Sequence, residues 1–106
     1  ANAFAEGFKA WLKEDSARLT DNSNSEEISA VTACGYDAYM AIYYALDKAQ
    51  STDGATLRDA LAALDVPGLV TGDLKFDENG DAIKSYAIIK TATTEGFVFA
   101  DSVAIE

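Results

Sequence analysis

A run of apolar side chains over residues 31–49 restricts the fold more than any other part of the chain. Drawn as a helix, the run places large apolar residues on every side: Val31, Cys34, Tyr36, Tyr39, Met40, Ile42, Tyr43, Tyr44 and Leu46. A surface helix has a polar face, whereas a helix that is apolar all round is enclosed by protein on several sides. The run therefore predicts a buried helix over about 31–49. Its start is left open, near Ser29 or nearer Gly35.

Two shorter helices are expected on either side of this buried helix. The first, over about 2–15, is predicted by four residues at the i, i+4, i+7, i+8 spacing of one helix face: Phe4, Phe8, Trp11 and Leu12. The polar residues 20–25 that follow predict a loop. The second helix, over about 55–65, has a capping sequence before it at residues 51–54 and ends before Pro67 and Gly68.

Beyond Pro67 the apolar period changes from that of a helix to that of a strand, so we expect strands over about 70–76, 84–90 and 96–101. Residues 77–81 predict a hairpin turn in which Gly80 adopts positive φ. The predicted fold class is α/β, with helices followed by a few strands and one segment covering residues 1–106. An enclosed helix and apolar strands in this order need further elements to pack on, so the chain is expected to be part of a larger fold.

Composition argues against several classes of function. Asp and Glu number 18 against 8 Lys and Arg, and the net charge of −10 repels nucleic-acid phosphates and anionic lipids. The sequence has no His, so it cannot form a Ser–His or Cys–His nucleophile pair. Around the acidic turn, Lys75 and Tyr86 stand where a calcium loop requires Asp and Glu. We expect no enzyme activity, no cofactor, no metal and no nucleic-acid partner.

Five short motifs follow one another in the order of a known family. Residues 33–49 resemble a helix of the form A-x-G-Y-D-A … A-l-x-K-A, and residues 51–61 resemble S-t-D … l-r-d-A-L. Residues 68–72 resemble a turn f-x-G-v-t-G, residues 76–81 a hairpin F-D-e-n-G-D, and residues 96–98 a closing G-x-F. In this order and spacing, the chain resembles the carboxy-terminal portion of the type I periplasmic solute-binding proteins of branched-chain amino acid ABC transporters.

The resemblance implies a fold of two α/β lobes joined by three crossover strands that close on a ligand between them. This chain is then a fragment that contributes hinge strands and one wall of the cleft. Its function is to capture an amino acid of the branched-chain type outside the cytoplasm, in the periplasm or as a cell-surface lipoprotein, and to deliver it to a membrane permease. The alternative is a ligand-sensing domain of a signalling receptor with the same fold.

The family pattern places a cleft-facing position just before the G-Y-D-A helix, which here is Val31, Thr32 and Ala33. Val31 or Ala33 then lines an apolar wall, and Thr32 offers a hydroxyl. Tyr36 is the fourth ligand-binding candidate, and Asp37 is a candidate for pairing with the ligand ammonium. The other interpretation is that Tyr36 packs on the sheet and that Asp37 makes a helix-dipole or hinge-facing hydrogen bond.

The same reasoning predicts how the 106-residue chain behaves alone. Its strand edges and the faces of its central helix lack their usual partners, so we expect self-association, as a homodimer that pairs strands or exchanges an element. The amino-terminal portion of the family, which is absent from this sequence, supplies most of the ligand contacts. Alone, the chain is therefore expected to bind amino acids weakly or not at all.

Overall fold

The computed structural model describes residues 1–105, which form four helices followed by five strands. The helices are α1 (Asn2–Lys13), α2 (Ser16–Asp21), α3 (Ala30–Ala49) and α4 (Gly54–Ala62). The strands are β1 (Asp65–Leu69), β2 (Gly72–Phe76), β3 (Ala82–Ile83), β4 (Tyr86–Thr93) and β5 (Gly96–Ala104). The α/β class and the order of helices before strands are as predicted.

Local capping explains where the helices begin. Asp15 caps α2, Ser29 caps α3 and Asp53 caps α4, and each side chain accepts a hydrogen bond from a backbone amide two or three residues further on. The helix α3 thus starts directly after Ser29 rather than near Gly35. It ends at Gln50, which adopts a left-handed conformation with φ 48°.

Two parts of the sequence fold differently from expectation. Residues 16–21 form the short helix α2, which extends into the stretch assigned to a loop by its polar composition. Residues 65–69 form strand β1 instead of the end of a helix and a turn. Pro67 is compatible with this strand because β1 lies at the edge of its sheet and is bulged between Val66 and Leu69.

The five strands form two separate antiparallel units. Strands β1, β2 and β3 form a sheet in that order, with Val66 opposite Leu74 and Lys75 opposite Ile83. The acidic turn between β2 and β3 is the predicted hairpin, and Gly80 has the positive φ of 86° expected there. Among the described residues, strands β4 and β5 pair with each other and with no other strand, and they form a long two-stranded ribbon.

One small core holds the central elements together. It lies between α3, α4 and the three-stranded sheet, and its buried residues are Ala41, Ala45, Ala60, Leu64 and Leu74. Alanines on the facing sides of α3 and α4 let the two helices approach closely. Tyr44, Leu57 and Phe76 pack around this centre as partly buried residues.

The helix α3 is covered on one side only. Asp37, Ala41 and Ala45 lie on its buried side. On the opposite side Tyr39 is 71% exposed, and Ile42 and Tyr43 are also exposed. Among the described residues, α4 and the small sheet cover one apolar face of this helix, and its outer face lacks the partners that the predicted enclosure requires.

The chain is also much more open than a self-contained domain. Its accessible surface is 7790 Å², whereas a compact monomer of this length exposes about 5,700 Å². The radius of gyration is 16.6 Å, against about 13 Å for a compact domain of the same length. Much of the excess comes from the β4–β5 ribbon, on which Phe97, Phe99 and Ile88 are exposed.

Candidate functional site

The first turn of α3 carries three of the four candidate ligand-binding residues. Val31 projects into solvent and is 80% exposed, while Thr32 and Ala33 are half-buried. Thr32 belongs to the helix cap, since its amide donates to Ser29 Oγ at 3.0 Å and its Oγ1 lies 2.9 Å from the same oxygen. A hydroxyl donates once and accepts twice, so Thr32 retains hydrogen-bonding capacity for a further partner.

The four candidates do not share one face of α3. At about 100° per residue, Val31 lies about 140° around the helix from Tyr36, whereas Thr32 and Ala33 are within one turn of Tyr36 on its own side. The structure therefore brings Thr32, Ala33 and Tyr36 together and places Val31 on another side of the helix. A single flat wall made of all four side chains is excluded by this geometry.

Tyr36 contacts helix α1. Within the described chain it does not pack on the sheet, as the second interpretation of this residue had it. Its ring centroid lies 4.7 Å from that of Phe4, at the end of an aromatic row that continues through Phe8 to Trp11. An open cavity of about 410 Å³ lies along this row, with Ala3 and Gly7 at its side. The amphipathic face predicted for the first helix thus contacts α3 at one end, through the Phe4 and Tyr36 rings.

Asp37 lies on another side of α3, and its carboxylate is hydrogen-bonded within the chain. Its side chain is buried, with 4% of the residue exposed. Oδ1 accepts from the amide of Val70 at 3.0 Å, and Oδ2 accepts from the amide and the hydroxyl of Thr71 at 2.7 and 2.6 Å. The Lys84 ammonium donates to the same Thr71 hydroxyl oxygen at 2.8 Å. The carboxylate is directed at the β1–β2 turn and away from the first turn of α3.

The surroundings of Asp37 keep it ionised. Burial raises the pKa of this carboxyl, but the hydrogen bonds from Thr71 and Val70 and the charge of Lys84 together lower it below its ordinary value. The structure thus joins the G-Y-D-A motif to the f-x-G-v-t-G motif. Asp37 is a candidate from the sequence, whereas its hydrogen-bond partner Thr71 and the neighbouring Lys84 are not, although Thr71 lies within one of the motifs that carry the resemblance.

In the acidic turn between β2 and β3, the Asp77 carboxylate is also hydrogen-bonded within the chain. Asp77 Oδ1 accepts from the amides of Asp81 and Asn79, both at 2.9 Å, and these bonds lower the pKa of Asp77. Within residues 1–105, no group of three or more His, Cys, Asp or Glu side chains is arranged to hold a metal ion. None of the helices described is both long and apolar enough to cross a bilayer.

Comparison with protein families explains why these motifs occur together. Residues 2–94 match the family model described as "Receptor family ligand binding region". Neither the curated proteins nor the solved structures give a significant match. The matched family is of the type I periplasmic-binding-protein kind and includes the branched-chain amino acid binding proteins, so the resemblance found in the sequence is confirmed. Because the match covers most of the 106 residues, the chain belongs to the receptor family ligand-binding region, a family of small-molecule-binding proteins.

Proposed function

We propose that this chain is part of an extracytoplasmic solute-binding protein that captures an amino acid of the branched-chain type for the permease of an ABC importer. The observation that carries the proposal is the match of residues 2–94 to a ligand-binding, non-catalytic family. The five motifs resemble those of the transporter members, which favours import over the sensing role of a signalling receptor.

The amino-terminal turn of α3 is the proposed contribution to the cleft. The start of a long helix attracts an anion such as the ligand carboxylate, because its free amides and dipole are positive there. Thr32 supplies a hydroxyl, and Ala33 with Tyr36 supplies the apolar surface next to it. Val31 is exposed at the same turn and faces a different direction from Tyr36.

The uncovered surfaces are proposed to pack on the remainder of the ligand-binding protein. They comprise the outer face of α3, with Tyr39 and Tyr43, and the two faces of the β4–β5 ribbon. A two-stranded ribbon is only marginally stable by itself, so it needs additional strands or a helix. In the proposed protein the ribbon supplies hinge strands, and closure of the two lobes around them encloses the ligand.

Amino acid binding is expected of the complete ligand-binding protein and not of the 106-residue chain alone. Isothermal titration calorimetry with L-leucine, L-isoleucine and L-valine is expected to give dissociation constants of about 1 μM or below for the complete protein. The isolated chain is expected to bind weakly or not at all, because in the proposed protein the amino-terminal portion supplies most of the ligand contacts. Binding by the isolated chain with the same affinity would contradict the proposal, as would failure of the complete protein to bind any amino acid.

Substitution of the α3 turn tests where the ligand is held. Thr32→Val in the complete protein is expected to weaken leucine binding about tenfold, the effect of one hydrogen bond to a charged group. Thr52→Val is the matched control, since Thr52 is exposed in the connection between α3 and α4, outside the proposed cleft wall and the ribbon. Equal affinities for the two variants would remove Thr32 from the site.

The isolated chain is expected to self-associate. Apolar residues on α3 and on the β4–β5 ribbon are exposed together, and both outer edges of the ribbon lack a neighbouring strand among the described residues. Light scattering at micromolar concentration is expected to give a mass of at least a dimer. A monodisperse monomer would show that these surfaces tolerate solvent.

A further inference from the structure

The polar contact around Asp37 joins three separate parts of the chain. Lys84 donates to Thr71 Oγ1, and the Thr71 hydroxyl donates to Asp37 Oδ2, so a continuous relay runs from ammonium to carboxylate. The three residues belong to the β3–β4 connection, to the β1–β2 turn and to α3. The hydroxyl donates once and accepts once, which makes it the central member of the relay.

Lys84 lies at the base of the ribbon. It directly precedes Ser85, whose carbonyl accepts from the amide of Ile105 at 2.9 Å and so extends the pairing of β4 with β5. Within residues 1–105 the ribbon has no extensive packing on another element, so its attachment to the rest of the described chain depends on this short connection. A contact at Lys84 therefore acts where the ribbon joins the central unit.

Apolar packing beside the relay is loose. A partly open cavity of about 180 Å³ separates α3 from the small sheet at this point, with Cys34 and Ala38 on the helix side and Phe76 on the sheet side. Loose packing leaves a helix free to shift against a sheet, because contacts across a void are absent. Here the hydrogen bonds to the Asp37 carboxylate span the interface and set the position of α3.

From this arrangement we infer that Asp37, Thr71 and Lys84 form a positioning relay that makes α3 and the base of the β4–β5 ribbon move as one body. This inference rests on the proposed function, in which α3 carries a wall of the cleft and the ribbon supplies hinge strands. The relay then holds the cleft wall in a fixed relation to the hinge, so that closure presents the wall to the ligand in one orientation. Thr71 and Lys84 act through α3 and do not touch the ligand.

The test uses the complete ligand-binding protein with Thr71→Val, Thr71→Ser and Lys84→Met. Lys75→Met is the control, because Lys75 lies on strand β2, outside the relay, and pairs at the surface with Asp65. The measurement is amide hydrogen exchange without ligand. In Thr71→Val and Lys84→Met, exchange is expected to be about 3- to 30-fold faster than in the wild type, both in residues 34–44 and in residues 86–93. Thr71→Ser and Lys75→Met are expected to match the wild type. Faster exchange confined to residues 84–86, or no difference from the control, would overturn the inference.

Affinity for L-leucine separates this inference from the proposed function. Measured well below the unfolding temperature, it is expected to be about 3- to 30-fold weaker in Thr71→Val and restored in Thr71→Ser. Unchanged affinity in Thr71→Val would overturn the relay while leaving the solute-binding function intact. If the wild-type protein binds no amino acid, the proposed function is wrong, and the exchange measurement alone decides whether the relay exists.

Discussion

Replacing Asp37 by alanine is expected to destabilise the complete ligand-binding protein by about 3 kcal/mol, because it leaves partly buried donors without an acceptor. The amides of Val70 and Thr71 and the Thr71 hydroxyl all donate to this carboxylate. Urea denaturation followed by circular dichroism measures the change in the free energy of unfolding. Asp59→Ala is the control, since Asp59 is exposed on α4 and pairs at the surface with Arg58, and it should change stability by less than about 0.5 kcal/mol.

The stabilisation of the fold by the Asp37 carboxylate is expected to decrease as the pH falls. Its pKa is lower in the folded protein than in the unfolded chain, so the carboxylate stabilises the fold above the unfolded pKa of about 3.9. That contribution is lost as the pH falls through the folded pKa. The stability difference between wild type and Asp37→Ala should therefore be constant near neutral pH and shrink below about pH 4. A difference that grows on acidification would contradict an ionised, hydrogen-bonded Asp37.

Replacing Tyr39 by alanine is expected to cost the complete protein about 3 kcal/mol, although Tyr39 is 71% exposed in this chain. The reason is that the outer face of α3 is apolar, and in the proposed protein it is covered by the remainder of the fold. Thermal or urea unfolding of the variant provides the measurement. The control is Arg58→Ala, because Arg58 is exposed on α4 and pairs only with the exposed Asp59.

The two variants distinguish a covered helix face from one that is open to solvent. Arg58→Ala should fall within about 0.5 kcal/mol of the wild type, as substitutions at solvated positions usually do. If Tyr39→Ala is equally mild, the outer face of α3 faces solvent in the complete protein. That result would contradict the proposed packing of this helix face on the remainder of the protein.

Prediction from sequence succeeded where the determining contacts are close along the chain. The helix α3 was predicted from its apolar run, and the hairpin after Phe76 was predicted from its turn residues and Gly80. Capping by Asp53 was visible because the side chain and the amide that it accepts from are three residues apart. Contacts of this kind form within a single turn, so residue type and spacing are sufficient to predict them.

Prediction from sequence failed where the local residues allow two conformations. Residues 20–25 were taken for a loop from their polar composition, yet the Asp15 cap starts helix α2, which extends to Asp21. Pro67 was taken as the end of a helix, but it lies in edge strand β1, where a missing amide hydrogen costs no ladder bond. In both places the neighbouring elements decided between two conformations that the local residues allow.

The amino acid order alone therefore specified an α/β chain with a central apolar helix, its caps and its turn, and the ordered motifs that identified the family. Folding in three dimensions decided which side of α3 is covered, where Tyr36 packs, and what Asp37 binds. Val70 and Thr71 stand 33 and 34 residues from Asp37 along the chain. Pairings over such distances depend on how whole elements pack, and no local period or spacing encodes them.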